Sequence, residues 1–166
     1  MLVIGAGSAG LVSAYIAAAV KAKVTLIEKH KMGGDCLNTG CVPSKALIKS
    51  AAVAKTLQDA EKFGLAPVAA KVDFAAVMTR IQKVIAEVEP HDSIERYTGL
   101  GVDCISGAAT IVSPWEVEVA SKRISARSLI IATGARPAIP DIKGLQNIAY
   151  YTSDSIWNLR ENPGRL

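Results

Sequence analysis

Four residues into the chain, Gly5-Ala6-Gly7-Ser8-Ala9-Gly10 fits the pattern G-x-G-x-x-G. Its surroundings constrain the fold more than the pattern does. The apolar run Met1 to Ile4 ahead of it reads as a short buried strand. The Ala-rich stretch from Ser8 to about Ala22 reads as a helix, and the β-branched run Lys23 to Glu28 (KVTLIE) as a second strand. Strand, tight turn, helix and strand within roughly 30 residues make a βαβ unit, whose two strands must lie parallel. In such a turn one glycine permits the sharp bend, a second lets the backbone approach a pyrophosphate, and a third allows the helix to pack closely on the strand. The helix N-terminus offers unpaired N–H groups and partial positive charge to the phosphates. Glu28 closes the second strand near the ~20-residue spacing at which an acid accepts hydrogen bonds from the ribose hydroxyls of an adenosine. A carboxylate there also argues against a 2′-phosphate. A plain glycine turn followed by a surface Glu is the bland alternative, and the loop does not choose between FAD and NAD, since both carry ADP.

The chain has 166 residues, enough for one ordinary domain with a real core. Half of the residues are hydrophobic but only 5% are aromatic, so the core is built from Ala, Val, Ile and Leu. That composition suits a parallel sheet covered by helices. The formal charge of +4 is modest and the Lys and Arg residues are scattered, which argues against a nucleic-acid partner. No apolar stretch is long enough to cross a membrane, and the N-terminus lacks the basic region of a secretory leader, so a cytoplasmic location is expected.

After Glu28 the pattern predicts a cysteine-bearing loop and then a helix from about Ser44 to Phe63, stopped by Gly64. A linker containing Pro67 follows. Asp73 is placed to cap a helix whose apolar residues Phe74, Val77, Met78, Ile81, Val84, Ile85 and Val88 recur at helical spacing. That helix ends near Pro90 or resumes through Tyr97. From Val102 the pattern turns to short strands: 102–106, 109–112, 116–120 and 122–126, with turns at Ser113-Pro114 and Ser121-Lys122. Residues 128–132 (SLIIA) read as a buried strand running into Thr133-Gly134. No repeat and no internal domain boundary is visible. Asn162-Pro163-Gly164-Arg165-Leu166 reads as a turn followed by the start of an apolar element, and both ends look like cuts through a longer protein.

Two of the three cysteines fall in Gly33 to Lys45, GGDCLNTGCVPSK. A structural disulfide, a metal clip and a redox pair are the three readings. A cytoplasmic chain keeps inert thiol pairs reduced. A zinc site needs three or four ligands, and only Cys104 and His30 stand as further candidates, so no metal is expected. A redox pair requires the segment between Cys36 and Cys41 to be bent, because residues five apart on an ideal helix rise by about 7.5 Å and face different ways. Asn38-Thr39-Gly40 tolerates such a bend. Pro43 suits the first turn of the helix that follows, whose start favours a thiolate at Cys41. Cys104 reads as a small buried hydrophobe, and His30 and His91 as surface residues.

The segment GGDCLNTGCVPSK closely resembles the active-site segment of the class I pyridine nucleotide-disulfide oxidoreductases, the family of dihydrolipoamide dehydrogenase, glutathione reductase and mercuric reductase. Every fixed position of G-G-x-C-x-N-x-G-C-x-P-x-K is present. The opening glycine loop with Glu28 is similar to that family's FAD site, and Ile130-Ile131-Ala132-Thr133-Gly134-Ala135-Arg136-Pro137 to its A-T-G-x-x-P element. The match runs from residue 2 to about Asp154. The resemblance implies an α/β, Rossmann-like FAD-binding domain with a parallel sheet and a small antiparallel β element.

It also implies site residues. Gly5, Gly7, Ser8, Ala9 and Gly10 would hold the pyrophosphate, and Glu28 with Lys29 the adenosine end. Asp35, Cys36, Ala109, Thr133 and Gly134 would contact FAD. Cys41 would be the thiolate against the flavin, Cys36 the outer thiol that attacks the acceptor, and Lys45 a positive charge near flavin N5. The family often has Thr at the position of Asp35, so the acid is a departure.

Residues 1–166 correspond to the N-terminal part of the FAD-binding domain, which makes the fold incomplete relative to the family. No second G-x-G-x-x-G for the nicotinamide donor appears, nor a later G-D segment, nor an interface domain with its His-Glu pair. Two expectations follow. In the parent protein, a homodimeric enzyme passes electrons from NAD(P)H through FAD to the Cys36–Cys41 disulfide and on to a small-molecule or disulfide acceptor. Alternatively, the 166 residues alone are a non-catalytic fragment with weak or no cofactor binding. Selectivity among lipoamide, glutathione and Hg(II) depends largely on residues outside this chain.

Overall fold

The computed structural model describes residues 1–164; Arg165 and Leu166, the expected apolar start, lie outside the described residues. In chain order the elements are β1 (Leu2–Ile4), α1 (Ser8–Ala19), β2 (Val24–Glu28), α2 (Gly34–Asn38), α3 (Cys41–Gln58), α4 (Phe74–Val88), α5 (Ile94–Gly99), β3 (Val102–Ser106), β4 (Thr110–Ser113), β5 (Glu116–Val119), β6 (Lys122–Ser125) and β7 (Leu129–Ile131). No internal boundary is visible in the sequence, yet the chain forms two compact units. The first is Met1–Asn38 with Val88–Arg136, and the second is Thr39–Glu87 with the segment from Pro137 onward. Each unit is assembled from two separate stretches, so no single linker marks a border.

In the first unit, four parallel strands form a sheet in the order β3-β2-β1-β7. β1 is central and fully buried, with Leu2, Val3 and Ile4 at 1%, 0% and 8% exposure. Side chains alternate across a strand, and each face has its own cover. Val3, Val24, Leu26 and Val102 pack against Leu11, Ala14 and Ala18 of α1 and against Tyr97 of α5. Leu2, Ile4 and Ile27 pack against Val117 and Val119 of the antiparallel sheet β4-β5-β6. Each such aliphatic side chain, fully buried, contributes about 1.5–3 kcal/mol. The expected α/β architecture with a parallel sheet and a separate small antiparallel sheet is what the chain forms.

Local departures from expectation have physical causes. The first helix stops at Ala19 rather than Ala22, because Lys21 turns into the left-handed region (φ 64°) and Ala22 N–H bonds back to the Ala17 carbonyl. The β5–β6 turn centres on Ala120 and Ser121, one residue earlier than expected, both at positive φ (48° and 61°) as a two-residue hairpin requires. β7 was expected to be buried, but it pairs only with β1 at the sheet edge, and Ile131 is 65% exposed. On α1, Val12, Tyr15 and Ile16 are also exposed, as is Val20 just after it, so the helix is apolar on both its inner and outer faces.

In the second unit the helix expected from Ser44 to Phe63 begins earlier, at Cys41, and ends as α-helix at Gln58. Its last part, Ala60–Phe63, tightens to 3₁₀ geometry before Gly64, which adopts the left-handed conformation (φ 74°). Asp59 sits at this junction and pairs with Lys55 and Lys62 at 2.8 and 2.9 Å. Both lysines lower its carboxyl below the usual range through hydrogen bonds. Asp73 caps α4 as expected, its Oδ1 accepting from Ala76 N–H at 3.0 Å. Met78 and Ile81 of α4 form the core of this unit with Ala46 and Trp157.

Candidate functional site: a nucleotide turn and a thiol segment

The turn after β1 is built around two glycines, Gly5 and Gly10, that nothing larger replaces. Gly5 has φ +103°, and a Cβ there would come within 2.2 Å of the Ala132 carbonyl oxygen. Its N–H bonds to the Ile27 carbonyl at 2.8 Å, which ties the turn to the neighbouring strand. A Cβ on Gly10 would lie 1.8 Å from the Gly5 carbonyl oxygen. Gly5 is therefore the bend and Gly10 the close-packing position. Gly7 differs: a Cβ there would meet only the Gly34 Cα, at 3.7 Å. It is the N-cap of α1 and places no side-chain hydrogen bond on the helix start, while Ser8 and Ala9 of the first turn are exposed.

Glu28 closes this turn from β2. Its Oε2 accepts from Ala6 N–H at 2.7 Å and its Oε1 from His30 N–H at 2.8 Å. A carboxylate has about four acceptor sites, so both oxygens retain capacity for hydroxyl donors. The structure thus gives Glu28 a local duty that the sequence did not suggest, holding the glycine turn. A shallow pocket of about 30 Å³ opens beside it, lined in part by His30, Met32, Cys104 and Ser106. Lys29 is exposed where the strand ends. Cys104 was expected to be buried and is half-buried, packed against the α1 side of the core. Burial pushes its thiol up from the ordinary value, with a hydrogen bond to Thr98 opposing.

The segment after β2 returns to the glycine turn. Gly33 N–H bonds to the Ala6 carbonyl at 2.9 Å. Gly34, at φ +54°, sits so close to Gly7 that an added Cβ would lie 2.5 Å from the Gly7 Cα. Gly34 opens α2, the five-residue helix that carries Asp35 and Cys36. Asn38 fastens this helix, its Nδ2 donating to the Met32 carbonyl at 3.0 Å and the Gly34 carbonyl at 2.9 Å. Exposed Thr133 and Gly134 follow β7, and Gly134 (φ +68°) lies near Asp35: a Cβ there would be 3.9 Å from Asp35 Oδ2. Ala109 sends its side chain into the core against the antiparallel sheet.

The first unit therefore unites Gly5, Gly7, Gly10, Glu28, Asp35, Cys36, Thr133 and Gly134 around the C-terminal ends of parallel strands. In open α/β sheets ligands bind at that end.

Cys41 and Lys45 belong to the second unit. The helix breaks after Asn38, as the bend between the cysteines requires, and α3 starts at Cys41 after the N-cap Gly40. Pro43 falls in its first turn, where an absent N–H leaves no partner unsatisfied. Cys41 and Lys45 are both exposed, and four residues apart they share one helix face. Asn38 and Gly34 were visible only as fixed motif positions; their contacts explain why those residue types stand there.

A family model described as pyridine nucleotide-disulphide oxidoreductase matches residues 1–166. The chain is 37% identical over 166 residues to a mercuric reductase of Lysinibacillus sphaericus, covering 100% of this chain and 30% of that protein. It is 35% identical over 168 residues to a glutathione reductase of Burkholderia cepacia, covering 100% and 36%. To a dihydrolipoyl dehydrogenase of Chlamydia muridarum it is 34% identical over 171 residues, covering 99% and 36%. Among solved structures it is similar to the HOCl-induced flavoprotein disulfide reductase RclA from Escherichia coli, with a TM-score of 0.78, 26% identity, and coverage of 96% of this chain and 34% of that one. The chain spans about a third of the length of these relatives.

Proposed function

The chain belongs to the pyridine nucleotide-disulphide oxidoreductase family, and we propose that it is the FAD-binding part, with its thiol pair, of a flavin-dependent disulfide oxidoreductase. The contact of Gly34 with Gly7 carries this reading, because it joins the helix bearing Cys36 to the turn that would hold the pyrophosphate. The residues fit the cofactor: Gly7 is open, the start of α1 carries no side-chain cap, and Glu28 has acceptor capacity left. Gly5, Gly7, Ser8, Ala9 and Gly10 would hold the pyrophosphate, Glu28 and Lys29 the ribose end, and Asp35, Ala109, Thr133 and Gly134 further parts of FAD. When bound, FAD supplies a two-electron carrier between a nicotinamide donor and a thiol pair.

The chain's own chemistry is thiol–disulfide exchange. The Cys36 thiolate attacks one sulfur of an acceptor disulfide, the acceptor S–S bond breaks, and the released sulfur takes a proton. Cys41, as a thiolate, then attacks the Cys36 sulfur of the mixed disulfide. This closes the Cys36–Cys41 bond and releases the second acceptor sulfur as a thiol. Lys45 provides positive charge on the same face of α3 as Cys41.

For the whole protein we propose NAD(P)H as donor, a disulfide, metal ion or quinone-like acceptor, and a homodimer in the cytoplasm. No helix among the described residues is long and apolar enough to cross a membrane. For the 166 residues alone we propose a narrower role, cofactor binding without NAD(P)H turnover, because the only G-x-G-x-x-G in the chain is the one at Gly5. The test is to load the chain with FAD and add two electrons anaerobically. A long-wavelength charge-transfer absorbance that Cys41→Ser abolishes is the expected result. A flavin-loaded sample without that absorbance overturns the assignment of Cys41.

A further inference from the structure

The link between the two cysteine-bearing helices is only Thr39 and Gly40. Within the second unit, the indole Nε1–H of Trp157 donates to the Thr39 carbonyl at 2.8 Å, across 118 positions of sequence. Trp157 is 9% exposed and clusters with Ala46, Met78 and Ile81. Ala46 lies on α3, in the second turn after Cys41. One side chain therefore holds this helix twice, at the carbonyl just before its N-cap and at an apolar position inside it. Trp157 is itself held, since its backbone carbonyl accepts from Gln82 Nε2 at 3.3 Å and from Arg160 Nη1 at 3.1 Å. Helix starts are usually fastened by a Ser, Thr, Asp or Asn at the N-cap. Here the N-cap is Gly40, which makes no such bond. The Trp157 indole does not replace such a cap, which would accept from a helix N–H; it donates to the carbonyl just ahead of the helix and fixes the chain there.

We propose that Trp157 is a positioning residue for Cys41, fixing the Thr39 carbonyl and with it the point at which α3 presents the thiol. The proposal rests on the reading of Cys36 and Cys41 as a redox pair. Closing a disulfide orders the chain between its cysteines, and a carbonyl already pinned in that stretch leaves less freedom to lose. Trp157→Phe keeps the ring in the apolar cluster and removes only the N–H. The variant and the parent chain are equilibrated with graded ratios of reduced to oxidised dithiothreitol, and the state of Cys36 and Cys41 is read by mass after acid quenching. The equilibrium constant for disulfide formation is expected to fall about fivefold in the variant, as for a lost preorganising contact. An unchanged constant in a folded Trp157→Phe chain overturns the proposal.

A second readout does not depend on that variant folding or on disulfide formation. The chain has two tryptophans, so Trp115→Phe leaves Trp157 as the only indole emitter. Alkylation of Cys41 is expected to change that emission, and an emission that ignores it overturns the proposal. If the parent chain closes no Cys36–Cys41 disulfide at any ratio, the redox reading fails, and the emission still decides whether Trp157 positions Cys41.

Discussion

Gly34 rests on Gly7 with no room between them for a methyl group: a Cβ on Gly34 would stand 2.5 Å from the Gly7 Cα. The atom in the way is backbone, so no rotamer change relieves it, and the left-handed φ of +54° adds strain for any L side chain. Gly34→Ala is therefore expected to destabilise the chain by about 3 kcal/mol and to abolish FAD retention. Urea unfolding and flavin absorbance after gel filtration check the two effects. A variant that keeps both stability and flavin would show that the turn and the thiol helix are not coupled here.

Glu28 accepts one backbone N–H on each carboxylate oxygen. Gln has the same shape, but its amide would point a donor at one of those N–H groups. A hydrogen bond to a charged group is worth about 1.5–3 kcal/mol, and the part-buried one from Ala6 N–H carries more of it than the exposed one from His30 N–H. Glu28→Gln should therefore lower the melting temperature even without cofactor, and should weaken FAD about tenfold in a fluorescence titration. If stability is unchanged while FAD weakens, the carboxylate serves the ligand alone.

Asp35 places an acid beside Gly134, where the resemblance to the family implies Thr. Like charges repel across a site that would hold two phosphates. Asp35→Thr should tighten FAD binding about threefold at low salt, with the gain shrinking as the ionic strength rises toward a Debye length of about 8 Å. Isothermal titration at two salt concentrations measures it. Weaker binding in the Thr variant would assign Asp35 a direct favourable contact.

The cysteines differ in accessibility. Cys41 is exposed, whereas Cys104 is half-buried, with burial raising its thiol above the ordinary value. Iodoacetamide near neutral pH is expected to label Cys41 first and Cys104 at least tenfold more slowly, as resolved by peptide mass. The sign for stability follows from the raised value. Cys104 favours the folded chain fully below the unfolded thiol's value of about 8.5, and this contribution is lost as pH rises through the folded value. Cys104→Ser should therefore flatten any decline in stability on the alkaline side.

What could be read from sequence was local. The glycine turn, the Asp73 cap and the bend near Thr39 are set by residues within a few positions of one another, and all three appear as expected. Val102 to Ser106 was legible as a strand, but its partner was not: Val24 pairs with Val102, far along the chain. The same distance hid the bond from Trp157 to Thr39. Lys21 misled because a left-handed Lys leaves no signal of the kind a glycine gives. The exposure of Ile131 reflects an unpaired sheet edge, which a run such as SLIIA does not announce. The two units were invisible because neither is continuous in sequence.

The strand order β3-β2-β1-β7 has a consequence for how the chain is made. β1 leaves the ribosome well before β7, so Leu2 must wait for Leu129 before its second edge is covered. Synthesis proceeds at roughly 5–20 residues per second, so the most buried strand of the molecule spends several seconds half-dressed. The nascent chain at that stage would present Leu2, Val3 and Ile4 to any passing chaperone or neighbouring copy. Shortening the stretch between β1 and β7, by permuting the chain so that β7 is translated next to β1, should raise the yield of soluble product.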